Sequence, residues 1–199
     1  MRHGVGRYVR KNIGVLALQG SFVEHKDALY RVGASVSEVR LPQHLDGLDG
    51  LIIPGGESTT ISLLMDRCKL REPIAQRIQG GMSCWGTCAG MILLARSLTE
   101  NYPTPLGVMD IGVARNAFGR QVDSFVGELA VPVLGEELFH GVFIRAPVFS
   151  EIGSNVHVLA SLQDGRVVAA REDHMLATAF HPELAMDTRF HEYFLQMSD

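Results

Sequence analysis

The chain lacks an apolar run long enough to cross a membrane. Its longest apolar runs are short stretches such as Met-Ile-Leu-Leu-Ala at residues 91–95, whereas a membrane-spanning helix needs about 20 residues. Positive charge is also scarce, because 18 Lys and Arg against 22 Asp and Glu leave a formal charge of −4. That balance offers no general attraction to nucleic acid phosphates. We therefore expect neither a membrane nor a nucleic acid as a partner.

Charged residues of both signs are few, at 20% of the 199 residues, while 46% are hydrophobic. A chain of this composition buries enough apolar surface to offset the entropy lost on folding, which excludes intrinsic disorder.

Residues 1–12 contain four Lys or Arg and no acidic residue, and we expect them to form a flexible basic extension. The length then predicts a single domain over residues 13–199.

Cysteine is almost absent, with only Cys68, Cys84 and Cys88. An odd count, without a secretion-type apolar segment at the start, predicts reduced thiols in the cytoplasm rather than a disulfide framework. Cys84 falls within a predicted strand, where core packing is expected, and Cys68 at a polar helix end suggests no function.

Apolar segments of strand length occur at residues 13–18, 36–41, 50–53 and 82–85, and segments of helical periodicity lie between them. Strands buried on both faces that alternate with helices are typical of a parallel sheet between two helix layers. The sequence therefore predicts an α/β fold. Its expected elements also include a helix over residues 91–98, five later strand-like segments that form a small antiparallel extension or second sheet, and a closing helix over residues 188–197.

The segment Gly-Thr-Cys-Ala-Gly at residues 86–90 is the strongest chemical signal. It has the form of a nucleophile elbow, in which small residues permit a sharp turn between a strand and a helix. Cys88 would lie at the helix start, where the helix dipole and free N–H groups favour a thiolate and an oxyanion. A buried structural cysteine at a tight turn is the alternative.

A nucleophilic cysteine needs a base, and His181 is the histidine at the end of a predicted strand, in Phe-His-Pro-Glu at residues 180–183. Ligands of α/β proteins bind at the carboxyl ends of strands, where both Cys88 and His181 are expected. Glu183 could accept the other imidazole N–H and fix its tautomer. The spacing of the remaining histidines predicts no metal site.

A second glycine-rich turn, Pro-Gly-Gly-Glu-Ser at residues 54–58, also follows a predicted strand. Gly55 and Gly56 permit a ligand close to the backbone. The turn lacks the Lys-Ser/Thr ending of a phosphate-binding loop, and Glu57 would repel phosphate. A carboxylate, or a carbonyl oxygen that gains charge, fits this turn better, although a plain turn between strand and helix is equally compatible.

With the segments at residues 86–90 and 180–183, the chain resembles the class I (triad) glutamine amidotransferases, an α/β family with a three-layer, flavodoxin-like fold. Four further segments narrow the resemblance to the glutaminase subunits of pyridoxal 5′-phosphate synthase. They lie at residues 14–20, 54–60, 115–125 and 142–147. The similarity extends from residue 13 to about residue 197.

The resemblance implies that Cys88 attacks the side-chain amide of glutamine, His181 relays the proton to ammonia, and Glu183 orients His181. Water then cleaves the glutamyl thioester. The residues implied to bind glutamine are Gly55, Gly56, Glu57, Ser58, Arg115, Ile144 and Arg145. Backbone groups of Gly55, Gly56 and Ala89 would form the oxyanion hole, and Gln19 and Gly20 would lie near a partner interface.

The same resemblance implies a partner, a separate synthase subunit with a (β/α)8 barrel that receives the ammonia. The family's assembly contains twelve subunits of each kind. It implies no cofactor and no metal for this chain.

Two other functions fit parts of the sequence. A γ-glutamyl hydrolase would act without a synthase, but the segment at residues 115–125 argues against it. A non-catalytic docking subunit would keep the fold alone, which the presence of all three triad residues disfavours.

Overall fold

A computed structural model describes residues 10–115 and 124–198. The strands are β1 (Asn12–Leu16), β2 (Ser35–Val39), β3 (Gly50–Ile53), β4 (Ser83–Thr87), β5 (Ala95–Leu98), β6 (Met109–Ala114), β7 (Ser124–Leu129), β8 (Phe139–Ile144), β9 (Val148–Ile152), β10 (His157–Ser161), β11 (Val167–Glu172) and β12 (Met175–Thr178). The α-helices are α1 (Phe22–Arg31), α2 (Ser58–Arg67), α3 (Arg71–Gln79), α4 (Ala89–Leu94) and α5 (Arg189–Met197). Short 3₁₀ turns lie at Pro42–Leu45, Pro132–Leu134 and Pro182–Leu184. Residues 1–9 of the expected basic extension lie outside the described residues.

The main sheet has seven strands in the order β10-β11-β12-β4-β3-β1-β2. The five strands from β12 to β2 are parallel, whereas β10 and β11 are antiparallel to their neighbours. Two smaller sheets, β5-β6-β9 and β7-β8, complete the part of the fold that the structure describes. The predicted α/β class, with a mostly parallel sheet and an antiparallel extension, is confirmed.

Helices cover both faces of the main sheet, and two successive residues of β4 show how. The Trp85 ring contacts His25 of α1 and His191 of α5. The next residue, Gly86, faces α4, because a Cβ added to it would lie 2.5 Å from the carbonyl carbon of Gly90. Successive strand residues point to opposite faces, so α1 and α5 lie on one side of the sheet and α4 lies on the other.

The central strands form because their residues suit burial on both faces. Every residue of β3, β4 and β12 is buried, which agrees with the nearly continuous apolar runs expected of an interior parallel sheet. None of the helices in the described ranges is both long and apolar enough to span a membrane.

The predicted helix over residues 91–98 is wrong in its second half. Helix α4 ends at Leu94, and β5 begins at Ala95. The carbonyls of Leu93, Leu94 and Ala95 accept hydrogen bonds from the N–H groups of residues 106, 108 and 107, respectively. The returning chain therefore satisfies the carbonyls at the helix end, where the helix stops. Strands β6 and β9 were also absent from the prediction.

Candidate active site

The predicted site residues converge at the carboxyl ends of the parallel strands. Cys88 follows β4 directly, His181 lies three residues after β12, and the glycine-rich turn follows β3. The loop after β1 brings Gln19 to the same edge, since Gln19 Oε1 accepts the Glu57 N–H at 2.8 Å. This convergence is the arrangement expected for a ligand site in an open α/β sheet.

Cys88 sits in the sharp turn that the elbow motif predicts. Its φ is +49°, a left-handed conformation that is uncommon for residues other than glycine. The Cys88 N–H donates to the Thr178 carbonyl at 2.8 Å, which ties the turn to the neighbouring strand β12. Gly90 allows the following helix to approach β3, because a Cβ there would lie 1.9 Å from the Ile53 carbonyl oxygen.

His181 and Glu183 form the rest of the expected triad. The distance from His181 Nδ1 to Glu183 Oε1 is 2.8 Å, and both residues are buried. Although burial alone would lower the pKa of His181, hydrogen bonds with Cys88 and Glu183 raise it to about 10. Burial alone would likewise raise the pKa of Glu183, but His25, His181 and the Ser21 hydroxyl outweigh it and lower this pKa to about 2. His181 is thus paired with an ionised carboxylate, while Cys88 Sγ lies 3.9 Å from the Ile144 carbonyl oxygen.

The glycine-rich turn lies directly against the base. A Cβ on Gly55 would lie 2.3 Å from His181 Cε1, so only glycine fits there. The Gly55 carbonyl accepts the Ser21 N–H at 3.0 Å. Because a trans peptide holds its C=O and N–H on opposite sides, the Gly56 N–H is turned away from the β1–α1 loop. Gly20 borders the same turn, since a Cβ there would lie 1.8 Å from the Gly55 oxygen.

A cavity of about 320 Å³ opens above Cys88 and His181. Its other lining residues are Gln19, Gly56, Glu57, Ser58, Ala89, Ile92, Arg115, Ile144 and Arg145. All except Ile92 were candidate site residues from the sequence. Gly55 lies in the turn just described and Gly20 borders that turn, but neither is part of this lining. Residues 116–123 of the segment that resembled the glutaminase subunits lie outside the described residues.

Glu57 lines the cavity and also makes its own hydrogen bonds with the start of helix α2. Its carboxylate caps helix α2 by accepting the Thr59 N–H at 3.2 Å and the Thr60 N–H at 2.7 Å. Burial alone would raise the pKa of Glu57, but the hydroxyl and N–H groups of these threonines lower it to about 2. Arg115 lies close, with Nη2 3.6 Å from Glu57 Oε1. The Glu57 carboxylate thus links the glycine-rich turn to the start of α2 and to the Arg115 guanidinium.

We predict that Glu57→Ala lowers the free energy of unfolding by about 1 kcal/mol near pH 7, because the cap of α2 is lost. Since the folded-state pKa of Glu57 is lowered, its contribution is complete above the unfolded-state pKa and is lost as pH falls toward about 2. Urea unfolding of both proteins between pH 7 and pH 3 would measure the difference. Glu72→Ala, which removes a contact with Gln76 and a first-turn charge of α3 but no capping hydrogen bond, is the control. Equal effects of both variants at every pH would contradict the capping role.

Ser21 and His25, which the sequence did not indicate as site residues, contact the carboxylate of Glu183. The Ser21 hydroxyl donates to Glu183 Oε1, and His25 Nε2 lies 3.3 Å from Glu183 Oε2. His25 lies on helix α1, four residues after Ser21. Its place on the helix that follows a loop at the sheet edge was the available signal.

The other two cysteines lie away from this chemistry. Cys84 is fully buried in β4, and burial raises the pKa of its thiol. Cys68 lies at the end of α2. Within residues 10–115 and 124–198, no cluster of His, Cys, Asp and Glu could hold a metal ion.

Comparison with known proteins gives consistent matches. The model of the SNO glutamine amidotransferase family matches residues 15–199. The pyridoxal 5′-phosphate synthase subunit PdxT of Herpetosiphon aurantiacus is 59% identical over 186 residues, which cover 92% of this chain and 98% of that protein. The protein of the same name from Roseiflexus castenholzii is 53% identical over 188 residues, with 93% and 99% covered.

Solved structures agree with these matches. A crystal structure described as a glutamine amidotransferase is 50% identical, with a TM-score of 0.87 and with 94% of this chain and 98% of that chain covered. The structure of PurLQS from Thermotoga maritima has a TM-score of 0.71 at 19% identity, with 96% and 100% covered. The second likeness shows the fold alone.

Proposed function

Because the chain belongs to the SNO glutamine amidotransferase family, we propose that Cys88, His181 and Glu183 are the triad with which it hydrolyses glutamine. The protein is a glutaminase that supplies ammonia for pyridoxal 5′-phosphate synthesis, as its relatives named as synthase subunits indicate. The observation that supports the triad most strongly is the 2.8 Å contact between His181 and Glu183 beside a cavity lined by Cys88 and His181.

The chemistry proceeds in two halves. His181, whose pKa of about 10 makes it an imidazolium near neutral pH, already holds the proton of Cys88. The sulfur attacks the amide carbon of glutamine, and His181 then delivers that proton to the departing ammonia. A water molecule next attacks the glutamyl thioester, with His181 as the base, and releases glutamate and the thiol. Glu183 stays ionised and stabilises the imidazolium that forms in each half. Glutamine and one water thus give glutamate and ammonia.

The tetrahedral intermediate carries a negative oxygen, for which backbone donors at two places are available. The Ala89 N–H lies at the start of α4, the backbone of Gly55 lies beside the His181 ring, and Gly56 lines the cavity. Donors aimed at an oxyanion from a fixed backbone need no reorganisation during reaction. We assign the oxyanion hole to these three residues.

The polar groups around the cavity match the two ends of the substrate. The guanidinium groups of Arg115 and Arg145 suit the α-carboxylate of glutamine, while the Glu57 carboxylate suits its α-ammonium group. Ser58 and Ile144 are also part of the cavity lining. These residues form the proposed glutamine site.

The protein works with a synthase subunit, and we propose that this partner is a (β/α)8 barrel that assembles with it as twelve copies of each in the cytoplasm. Gln19 and Gly20 are the proposed contact. Gln19 both lines the cavity and binds the Glu57 N–H, so a partner that touched this loop would act directly on the glutamine site.

We expect glutamate release from glutamine to be slow with this chain alone and to rise at least about tenfold when the synthase subunit is added, a coupling of ordinary size between two proteins. A coupled glutamate assay at several partner concentrations measures the increase. Strong turnover without the partner would indicate a γ-glutamyl hydrolase instead. No turnover in any combination would indicate a docking subunit.

A further inference from the structure

A chain of buried polar side chains continues behind the proposed triad. His25 of α1 and His191 of α5 are both fully buried, and His25 Nδ1 lies 3.0 Å from His191 Nε2. On its other side, His25 Nε2 lies 3.1 Å from Thr87 Oγ1 and 3.3 Å from Glu183 Oε2. The Trp85 ring packs against both imidazoles and closes the cluster.

The two oxygens of Glu183 are held unequally. Oε1 accepts from the Ser21 hydroxyl and faces His181 Nδ1. Oε2 is buried and has no hydrogen-bond partner within residues 10–115 and 124–198, although His25 Nε2 lies 3.3 Å from it. A buried carboxylate oxygen without a donor is costly, so the position of this one beside an imidazole nitrogen requires an explanation.

Electrostatics selects one tautomer of His25. Burial lowers the pKa of His25, so the ring is neutral and carries one proton. If that proton is on Nδ1, the Nε2 lone pair faces an anionic carboxylate. If it is on Nε2, the N–H faces Glu183 and Thr87, and Nδ1 accepts from His191 Nε2–H. His191 Nδ1 has no hydrogen-bond partner among the residues that the structure describes. The second arrangement makes this atom an unpaired acceptor, which costs less than an unpaired buried N–H.

We propose that His25 is a positioning residue of the glutaminase, whose Nε2–H is shared between Glu183 Oε2 and Thr87 Oγ1 and keeps the carboxylate directed at His181. His191 acts one step further back by fixing the tautomer of His25. This inference rests on the proposed function of Cys88, His181 and Glu183, and it extends the triad into the core between α1 and α5.

The charged and titratable groups around this cluster come from several elements. Glu183 and His181 face His25 from the segment after β12, His191 faces it from α5, and Glu24 precedes it on α1. Arg31, at the end of α1, acts on His191. Of these, Glu183 contributes to raising the pKa of His181, so any loosening of Glu183 must lower that pKa.

The test compares His25→Leu, which removes the donor, with His25→Gln, which keeps an N–H₂ group near the Nε2 position. In the complex with the synthase subunit, we expect His25→Leu to lower kcat about 10- to 100-fold, the effect of losing a hydrogen bond to a charged group, with KM changed less than about threefold. In the chain alone, NMR titration of labelled histidines should show the pKa of His181 lowered by about one unit. His25→Gln should restore most of both properties.

Two further variants make the outcome decisive. His174→Leu removes a histidine that binds the Ile78 carbonyl away from the triad, and it should leave kcat and the titration of His181 unchanged. His191→Phe keeps His25 but removes its tautomer-fixing donor, so it should shift the titration in the same direction by less, even if His25→Leu does not fold. Equal losses in His25→Leu and His25→Gln, or an unchanged titration in His25→Leu and His191→Phe, would overturn the proposal. An inactive wild-type complex would instead refute the proposed function.

Discussion

Cys88→Ala is expected to reduce glutamine hydrolysis by the assembled enzyme at least about 10⁵-fold, the scale seen when a catalytic nucleophile is removed. Among the described residues that line the cavity, Cys88 provides the one thiol. Its interaction with the base also contributes to raising the pKa of His181. Without it, no thioester forms, and water would have to attack an unactivated amide. Glutamate release by the complex, measured at saturating glutamine, gives the loss.

The matched control is Cys84→Ala in the strand that leads to the elbow. Cys84 is fully buried and lies four residues before the nucleophile, so its truncation removes packing near the site but no reacting atom. We expect it to destabilise the fold by about 1–2 kcal/mol with kcat nearly unchanged. If both variants lost activity equally, the loss would reflect packing of β4, and the nucleophile would have to be sought elsewhere.

Glu183→Gln is expected to lower kcat about 10³- to 10⁴-fold, as the loss of charge does in other triads. The substitution keeps the size of the side chain but replaces one oxygen with a donor. Ser21 and His181 lie against Oε1, and His25 lies against Oε2, so an amide group must face at least one of these donors with its own N–H₂. The imidazolium of His181 also loses its compensating charge.

Steady-state kinetics of the Glu183→Gln complex and the titration of His181 measure both consequences together. Because an ionised Glu183 helps to raise the pKa of His181 to about 10, the variant should titrate at lower pH. Glu192→Gln is the control, since Glu192 lies on α5 and its carboxylate accepts a hydrogen bond from the Thr188 hydroxyl. A Glu183→Gln enzyme with normal kcat would show that His181 needs no carboxylate.

The sequence predicted well those parts of the fold in which the residue types alone indicate whether a segment is buried. In β3 the run Gly-Leu-Ile-Ile is wholly buried, and its apolar character requires that. The helix predicted over residues 91–98 was right up to Leu94 and wrong for Ala-Arg-Ser-Leu at residues 95–98, because so short a segment has no periodicity that separates a helix from strand β5. The hydrogen bonds from residues 106–108 that end α4 come from far along the chain, and no local pattern encodes them.

The candidate site divides in a similar way. Cys88 and Gly55 were predictable because a sharp turn and a close approach demand particular residue types at particular positions. His25 was not, since a single histidine on a helix gives no indication of which nitrogen faces which partner. Its role depends on the packing of α1 against α5 and on the 3₁₀ turn that carries Glu183, contacts that form only when distant segments meet.

The absence of a side chain at Gly90 also determines how the nucleophile can move. Helix α4 lies against the Ile53 carbonyl, and the Cys88 N–H is bonded to Thr178, so the backbone that carries the sulfur is anchored to two interior strands of the main sheet. Core strands open only with free energies close to that of global unfolding. Thermal fluctuations of the surrounding loops therefore leave this backbone in place, and the sulfur can move only by rotation of its own side chain.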